Sequence, residues 1–268
     1  MSRSGSTLLG FLMSRQPGVI YVGEMMNLGS AWSHQGARCS CGSVVRTCPF
    51  WADVVDRAGL EVVPTSITPE LAHQLISVAA EAAGAHTVVD TSKHPGWQRR
   101  LGELAEHDAG ASAAHIVRDP RGHLASAHQG FRRSQRPTDP PSLRQALHVS
   151  GAWLKRNVWA SWTLRKWAER STVRYEDLVD HRVSSAAGLR VTTEPGDGWL
   201  ASDHVPTGNP NTRQADGAAV RSDDRWTTLV PRRLQVVMWV VTLPLAARFR
   251  YQPWARPIRS VSPAPPPR

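Results

Sequence analysis

Two clusters of residues have the types and spacing to hold a phosphate-like anion. Arg3-Ser4-Gly5-Ser6-Thr7 stands directly before an apolar helical start at Leu8-Leu9. Gly5 permits close backbone approach. Ser6 and Thr7 set hydroxyls beside the free N–H groups of a helix N-terminus, and Arg3 adds a fixed positive charge. A plain N-cap is the competing reading of these small polar residues. The G-x-x-x-x-G-K-[ST] spacing of a nucleoside triphosphate loop is not present. The second cluster is Ile116-Val117-Arg118-Asp119-Pro120-Arg121, a strand that runs into Arg118 and then a helix start. Ser126 follows Arg118 by eight residues, about two helical turns. Both side chains can therefore converge on one anion at the carboxyl edge of a sheet. A surface Arg118–Asp119 pair is the alternative.

The elements that would position these residues are legible from periodicity. Val19–Val22, Thr87–Asp90, Ala114–Val117 and Thr172–Tyr175 read as short strands followed by polar or turn residues. Pro69 after Thr68 marks a helix first turn, with Leu71, Leu75, Ile76 and Ala79 on one face. Further helices are expected over about 95–107 and 122–131, and Leu154, Val158 and Trp162 form an apolar stripe on another. Strands that alternate with helices predict a parallel sheet covered on both faces, a single three-layer α/β domain over 1–252. Residues of about 25–66 are expected to form a cap beside the acceptor pocket. Gln135–Ser142 reads as a loop, and the Pro-rich, basic segment 253–268 as a disordered tail.

The net charge of +10 and pI near 10.6 call for an anionic partner, and 41% hydrophobic residues supply a substantial core. Most of the positive charge is arginine, which suits bidentate phosphate contacts. The apolar run Val236–Ala247 is too short to span a bilayer and contains Pro244, so it reads as a buried helix. With no secretory signal legible, a cytoplasmic location is expected. Most of the eleven tryptophans read as core or cap residues. All three cysteines, Cys39, Cys41 and Cys48, fall in one short stretch. The odd count argues against a disulfide scaffold. Zinc would need a fourth ligand such as His34; a reduced or locally disulfide-bonded loop is the favoured reading.

The two anion clusters, in this order, resemble the 5'-phosphosulfate loop and the 3'-phosphate motif of sulfotransferases that use PAPS (3'-phosphoadenosine 5'-phosphosulfate). Three further segments carry the resemblance. Cys39-Ser40-Cys41-Gly42 with Cys48-Pro49-Phe50-Trp51 is similar to a segment of a bacterial branch of that family. Val173-Arg174-Tyr175-Glu176-Asp177-Leu178 resembles its RYEDL segment. His204, Gly208-Asn209-Pro210, Arg213 and Asp224-Arg225-Trp226 resemble its C-terminal segment. The matches run in family order over residues 3 to about 251.

The resemblance implies a P-loop-like nucleotide-binding fold and a role for each matched position. Arg3, Ser4, Gly5, Ser6 and Thr7 would hold the 5'-phosphosulfate, and Arg118 and Ser126 the 3'-phosphate. Tyr175 would lie near the adenine, with a core tyrosine as the alternative. Gly208, Asn209 and Arg213 would lie near the phosphates. Glu24 directly follows the first strand and stands where the tyrosylprotein branch carries a catalytic Glu; it is the expected base for the acceptor proton. His34, His94 and His204 are the reserves. Lys93, in Asp90-Thr91-Ser92-Lys93, would stabilise charge on the bridging oxygen as its bond to sulfur breaks. No metal is expected in this chemistry. The acceptor is a small molecule, carbohydrate, lipid or peptide-like compound, and nucleic acid is not expected as a partner.

Two rival classes remain at this point. An ATP phosphotransferase would need a loop lysine and an acidic metal ligand, and neither is evident. A basic nucleic-acid-binding module would spread its phosphate contacts over one face rather than gather them in ordered motifs. In the family, a buried strand delivers the loop arginine. Only Met1 and Ser2 precede Arg3 here, so the expectation is a sheet that lacks its first strand.

Overall fold

The structure is a computed structural model that describes residues 3–108, 110–132, 140–191, 204–208 and 223–253. The chain divides into two compact units, Met1–Val117 with Trp159–Val220, and Arg118–Val158 with Arg221–Arg268. The segment expected as a disordered tail lies, after Pro253, outside the described residues, as does most of the 135–142 loop.

The first unit holds helix α1 (Ser6–Met13), strand β1 (Val19–Gly23), helices α2 (Leu28–Ser33), α3 (Pro49–Arg57) and α4 (Pro69–Ala83), strand β2 (Thr87–Asp90), helix α5 (Pro95–Asp108) and strand β3 (Ser112–Val117). It also takes strand β4 (Glu169–Arg174), helix α8 (Tyr175–Val179) and the short hairpin of β5 (Ser185–Ala186) with β6 (Leu189–Arg190). Local chemistry sets these bounds. Thr68 caps α4 by accepting from the Leu71 N–H (3.3 Å), Pro69 supplies the first turn, and Gly84 ends the helix at φ 61°. Ala72, Leu75 and Ala79 are the fully buried positions of α4, with Leu71 and Ile76 at the margin.

β1 pairs with β2 and β3 with β4, both in parallel. The expected single central sheet is corrected here: among the described residues the four strands form two separate two-stranded ladders. The architecture is α/β, with helices and small parallel ladders. Helix α1 spans the two ladders. Its Leu8, Leu9, Leu12 and Met13 share a core with Ile116 of β3, Val173 of β4 and the half-buried Val89 of β2, and Phe11 packs edge-on against Tyr21 of β1. Tyr175, expected as a strand end, opens α8 instead.

Residues 25–67 fold as a small helical cap with its own core. Met25, Leu28, Trp32, Val45, Trp51, Val54, Val55, Val63 and Ile67 pack with Ala72, Leu75 and Ala79 of α4. This apolar burial holds the cap against α4.

The second unit holds helix α6 (Pro120–Arg132), most of α7 (Leu143–Thr163), and helices α9 (Trp226–Leu229) and α10 (Arg232–Arg248). Two expectations fail here. The buried face of α7 is Ala146, Ser150, Trp153 and Asn157, whereas Val158 and Trp162 of the proposed stripe are 55% and 59% exposed. Trp153 outcompetes them because its indole N–H also satisfies the Arg118 carbonyl (2.8 Å). In α10 only Leu234, Met238, Thr242 and Ala246 are buried; Val236, Val240 and Leu243 are exposed. A straight helix presents one face to the unit, so an all-apolar run is half covered. No helix among the described residues is long and apolar enough to cross a membrane.

One buried charge pair organises this unit. Arg121 donates through Nε to Asp119 Oδ1 (2.9 Å) and through Nη2 to Asp119 Oδ2 (2.6 Å). Its remaining donors reach the carbonyls of Pro253 (2.8 Å) and Gln252 (2.9 Å), and its guanidinium lies 4.4 Å from the Trp226 ring centre. Replacing Arg121 by Met would leave the Asp119 carboxylate buried and without this cation. The expected loss is about 3–5 kcal/mol, read as a lower urea midpoint; a change below about 1 kcal/mol would show that the pair carries no such weight.

Candidate functional site

The first unit gathers the candidate residues at the carboxyl ends of β1 and β2 and at the start of α1. The loop before α1 turns through two left-handed residues, Arg3 (φ 64°) and Gly5 (φ 97°), with Ser4 buried between them. Gly5 occupies the N-cap position and, without a side chain, makes no side-chain cap hydrogen bond to α1. A Cβ at Gly5 would come 2.4 Å from Cδ2 of Tyr175, so the tyrosine ring lies directly over the loop. The sequence-predicted loop and Tyr175 are therefore brought together.

Glu24 and Lys93 also meet. The β1–β2 register ends with Gly23 opposite Asp90, so the residues that follow leave the ladder side by side. Lys93 Nζ donates to Glu24 Oε1, and Asn27 Nδ2 donates to Glu24 Oε2 at 2.9 Å. The two charged side chains are only 18% and 14% exposed. Burial pushes the Lys93 ammonium down to about 8; the neighbouring carboxylate works in the opposite direction, towards the charged form.

A polar frame fixes this edge. Thr91 Oγ1 donates to the Gly23 carbonyl (3.1 Å) and shares a hydrogen bond with Tyr21 Oη (2.8 Å). Thr207 brackets Glu24 from the other side: its hydroxyl accepts from the Glu24 N–H (2.7 Å) and donates to the Glu24 carbonyl (2.9 Å). A Cβ on Gly23 would lie 2.7 Å from the Thr207 carbonyl, and one on Gly208 would lie 3.2 Å from Thr7 Oγ1. The segment 204–208 thus crosses both Glu24 and the α1 start. Asn209 and Arg213, the next predicted phosphate contacts, lie outside the described residues.

Asp90 was not singled out by sequence reasoning. Its Oδ1 accepts from the Met25 N–H (2.9 Å), the Ser92 N–H (3.2 Å) and the Ser92 hydroxyl (2.9 Å). Burial nevertheless dominates and pushes its carboxyl up to about 6. An acid at the last position of a strand was the available signal.

In the second unit, Arg118 is buried, and its Nη2 donates to Asp223 Oδ2 at 2.7 Å. Burial alone would push Asp223 up; its hydrogen bond from Arg225 and the charge and hydrogen bond of Arg118 outweigh that and hold it down to about 2. Asp119, offered by the competing reading as a surface partner of Arg118, is buried and pairs with Arg121. Ser126 is half-buried, two turns into the region that α6 begins after Arg118.

The three reserve histidines go elsewhere. His34 is exposed and its Nδ1 accepts from the Gly36 N–H (3.0 Å). His94 accepts from the Trp97 N–H (3.4 Å) at the start of α5 and meets Trp159 edge-on. His204 stands at the cysteines, with Nδ1 3.2 Å from Cys48 Sγ. The fourth group beside Cys39, Cys41 and Cys48 is therefore His204, a correction to His34; residue 204 is too distant in sequence for spacing to reveal it.

The family model described as "Sulfotransferase family" matches residues 1–190. The chain belongs to the sulfotransferase family. No curated protein and no solved structure matches it significantly.

The raised carboxyl of Asp90 has a definite consequence for stability. Below its ordinary value of 3.8 the group is protonated in both the folded and unfolded states. Between 3.8 and about 6 only the unfolded chain releases the proton, so stability falls as pH rises through this window. Asp90→Asn should flatten that decline, on the order of 2 kcal/mol, in urea midpoints compared at pH 4 and pH 7. Parallel profiles for variant and wild type would show that Asp90 ionises freely in the fold.

Proposed function

We propose that the chain transfers a sulfuryl group from PAPS to a hydroxyl or amine acceptor, with Glu24 as base and Lys93 facing the leaving oxygen. The observation that carries this reading is the enclosed Glu24–Lys93 pair at the end of the β1–β2 ladder, linked through Thr207 and Gly208 to the start of α1. Family membership supplies the reaction class. The residue roles rest on geometry and on the resemblance set out above to the bacterial and tyrosylprotein-type branches.

In this reading the α1 N-terminus with Arg3, Ser4, Gly5, Ser6 and Thr7 holds the 5'-phosphosulfate. The left-handed Gly5 fits such a ligand, since any side chain there would meet Tyr175. The acceptor oxygen or nitrogen attacks sulfur as its proton passes to a Glu24 carboxylate oxygen. The bond from sulfur to the bridging oxygen breaks, and its electron pair leaves on the phosphate of PAP, the desulfated product. Lys93, whose ammonium burial pushes down to about 8, would meet that negative charge in its protonated form. Contact with the bridging oxygen would draw Lys93 away from Glu24 and free the base. Tyr175 bounds the loop that receives the phosphosulfate.

Arg118 and Ser126 would read the 3'-phosphate. The Asp223 carboxylate already held by Arg118 marks an arginine prepared for an anion, and a 3'-phosphate would take that carboxylate's place. No observation favours ATP as donor or nucleic acid as partner.

The reading is tested by thermal shift with PAP, 5'-AMP and ATP at equal concentration. PAP should stabilise the protein most, and Arg118→Ala should erase its advantage over 5'-AMP. Equal shifts for PAP and 5'-AMP with the wild-type chain would refute the 3'-phosphate assignment.

A further inference from the structure

We propose that Cys39, Cys41, Cys48 and His204 form a tetrahedral zinc site that ties the cap to the segment over Glu24. The four ligand atoms all lie within 4.8 Å of one another. Cys41 Sγ and Cys48 Sγ are 3.7 Å apart, and Cys48 Sγ is 3.2 Å from His204 Nδ1. With Zn–S near 2.3 Å and Zn–N near 2.0–2.1 Å, a tetrahedron has edges of about 3.5–3.8 Å. Small side-chain rotations bring all four atoms onto such a figure. A disulfide fits less well: sulfur–sulfur bonding requires about 2.05 Å, all three cysteines are free, and any pairing would leave one over.

The surroundings are those of a structural metal site. Cys39 and Cys41 lie in a tight turn, where the Cys39 carbonyl accepts from the Gly42 N–H (3.0 Å), the Cys39 N–H donates to the Ser43 carbonyl (2.9 Å), and Gly42 takes φ 90°. Arg38 and Val44 bridge the base of that turn. Cys48 is the N-cap residue of α3, and its side chain makes no cap hydrogen bond. A helix start favours a thiolate, which is the ligating form. The His204 ring stacks on Phe50 with centroids 5.0 Å apart and planes at 11°, which fixes its orientation. Three thiolates and a neutral imidazole around Zn²⁺ leave one net negative charge, and binding releases the thiol protons.

The site lies at a junction. The Trp51 indole donates to the His204 carbonyl (2.6 Å), and Ser40 and Val205 exchange two hydrogen bonds, from Ser40 N (3.0 Å) and from Val205 N (2.9 Å). Two residues further on, Thr207 brackets Glu24. One metal would thus lock the Cys39–Cys48 turn to the strap that holds Glu24. Its role is to fix structure, since all four coordination positions are filled by protein and none is open to substrate.

The test uses the untagged full chain, purified without chelator. Elemental analysis should find about one zinc per chain. Cobalt exchanged into the site should give the strong visible bands of a tetrahedral ion and thiolate-to-metal charge transfer. Cys41→Ser changes an exposed ligand and His204→Ala a half-buried one; each should weaken zinc binding at least about 10- to 100-fold, the loss typical of an outer-shell change, in competition with a chromophoric chelator. Chelation of the wild type should also lower its melting temperature. Protein that is isolated without metal and takes up none, a Cys41–Cys48 disulfide detected by mass, or variants with wild-type cobalt spectra would each overturn the proposal. All these readouts are independent of sulfuryl transfer.

Discussion

Everything at the candidate site depends on holding Glu24 and Lys93 together with little water around them. Either charge alone would be costly to bury, and their mutual attraction offsets part of that cost. Parallel pairing of β1 with β2 brings both residues off the same edge of one ladder. The cap core then shuts out solvent beside Met25, and the Asp90 carboxyl organises the backbone of the residues on either side. The Thr207 hydroxyl, tied to both backbone groups of Glu24, fixes the backbone from which that side chain projects.

The two units treat charge in different ways. In the first, the opposite charges form a pair that is part of the proposed chemistry. In the second, Arg121 pairs with Asp119 and Arg118 with Asp223, and only the Arg118 pair enters the proposed chemistry. The sequence Arg118-Asp119-Pro120-Arg121 therefore holds two cations with different duties. The difference lies in burial of the partner: Asp119 is sealed with Arg121, while Asp223 is shared with the exposed Arg225.

Much of this was legible in the sequence. Strand β2 and the start of α4 follow from Thr68-Pro69 and from the run Thr87–Asp90, because local caps and β-branched residues set them. The meeting of Glu24 with Lys93 was foreshadowed by placing each just after a strand; that of Gly5, before a helix start, with Tyr175, at a strand end, was implied by the family resemblance. Other features depend on contacts far apart in the chain. Thr207 over Glu24 and His204 beside Cys48 leave no periodic trace. Which face of α7 is buried was decided by the Trp153 indole bond to Arg118, not by the apolar stripe. The division of the strands into two ladders is likewise a property of pairing, which strand patterns alone do not fix.

The central claim is that Glu24 takes the acceptor proton. The measurement that bears on it most directly is single-turnover transfer of labelled sulfate from PAPS to an acceptor found by screening hydroxyl and amine compounds, compared for wild type and Glu24→Gln. The account predicts a rate loss on the order of 10²-fold or more with PAP affinity nearly unchanged, because the base acts on the acceptor and not on the donor. Transfer by Glu24→Gln at the wild-type rate would contradict it.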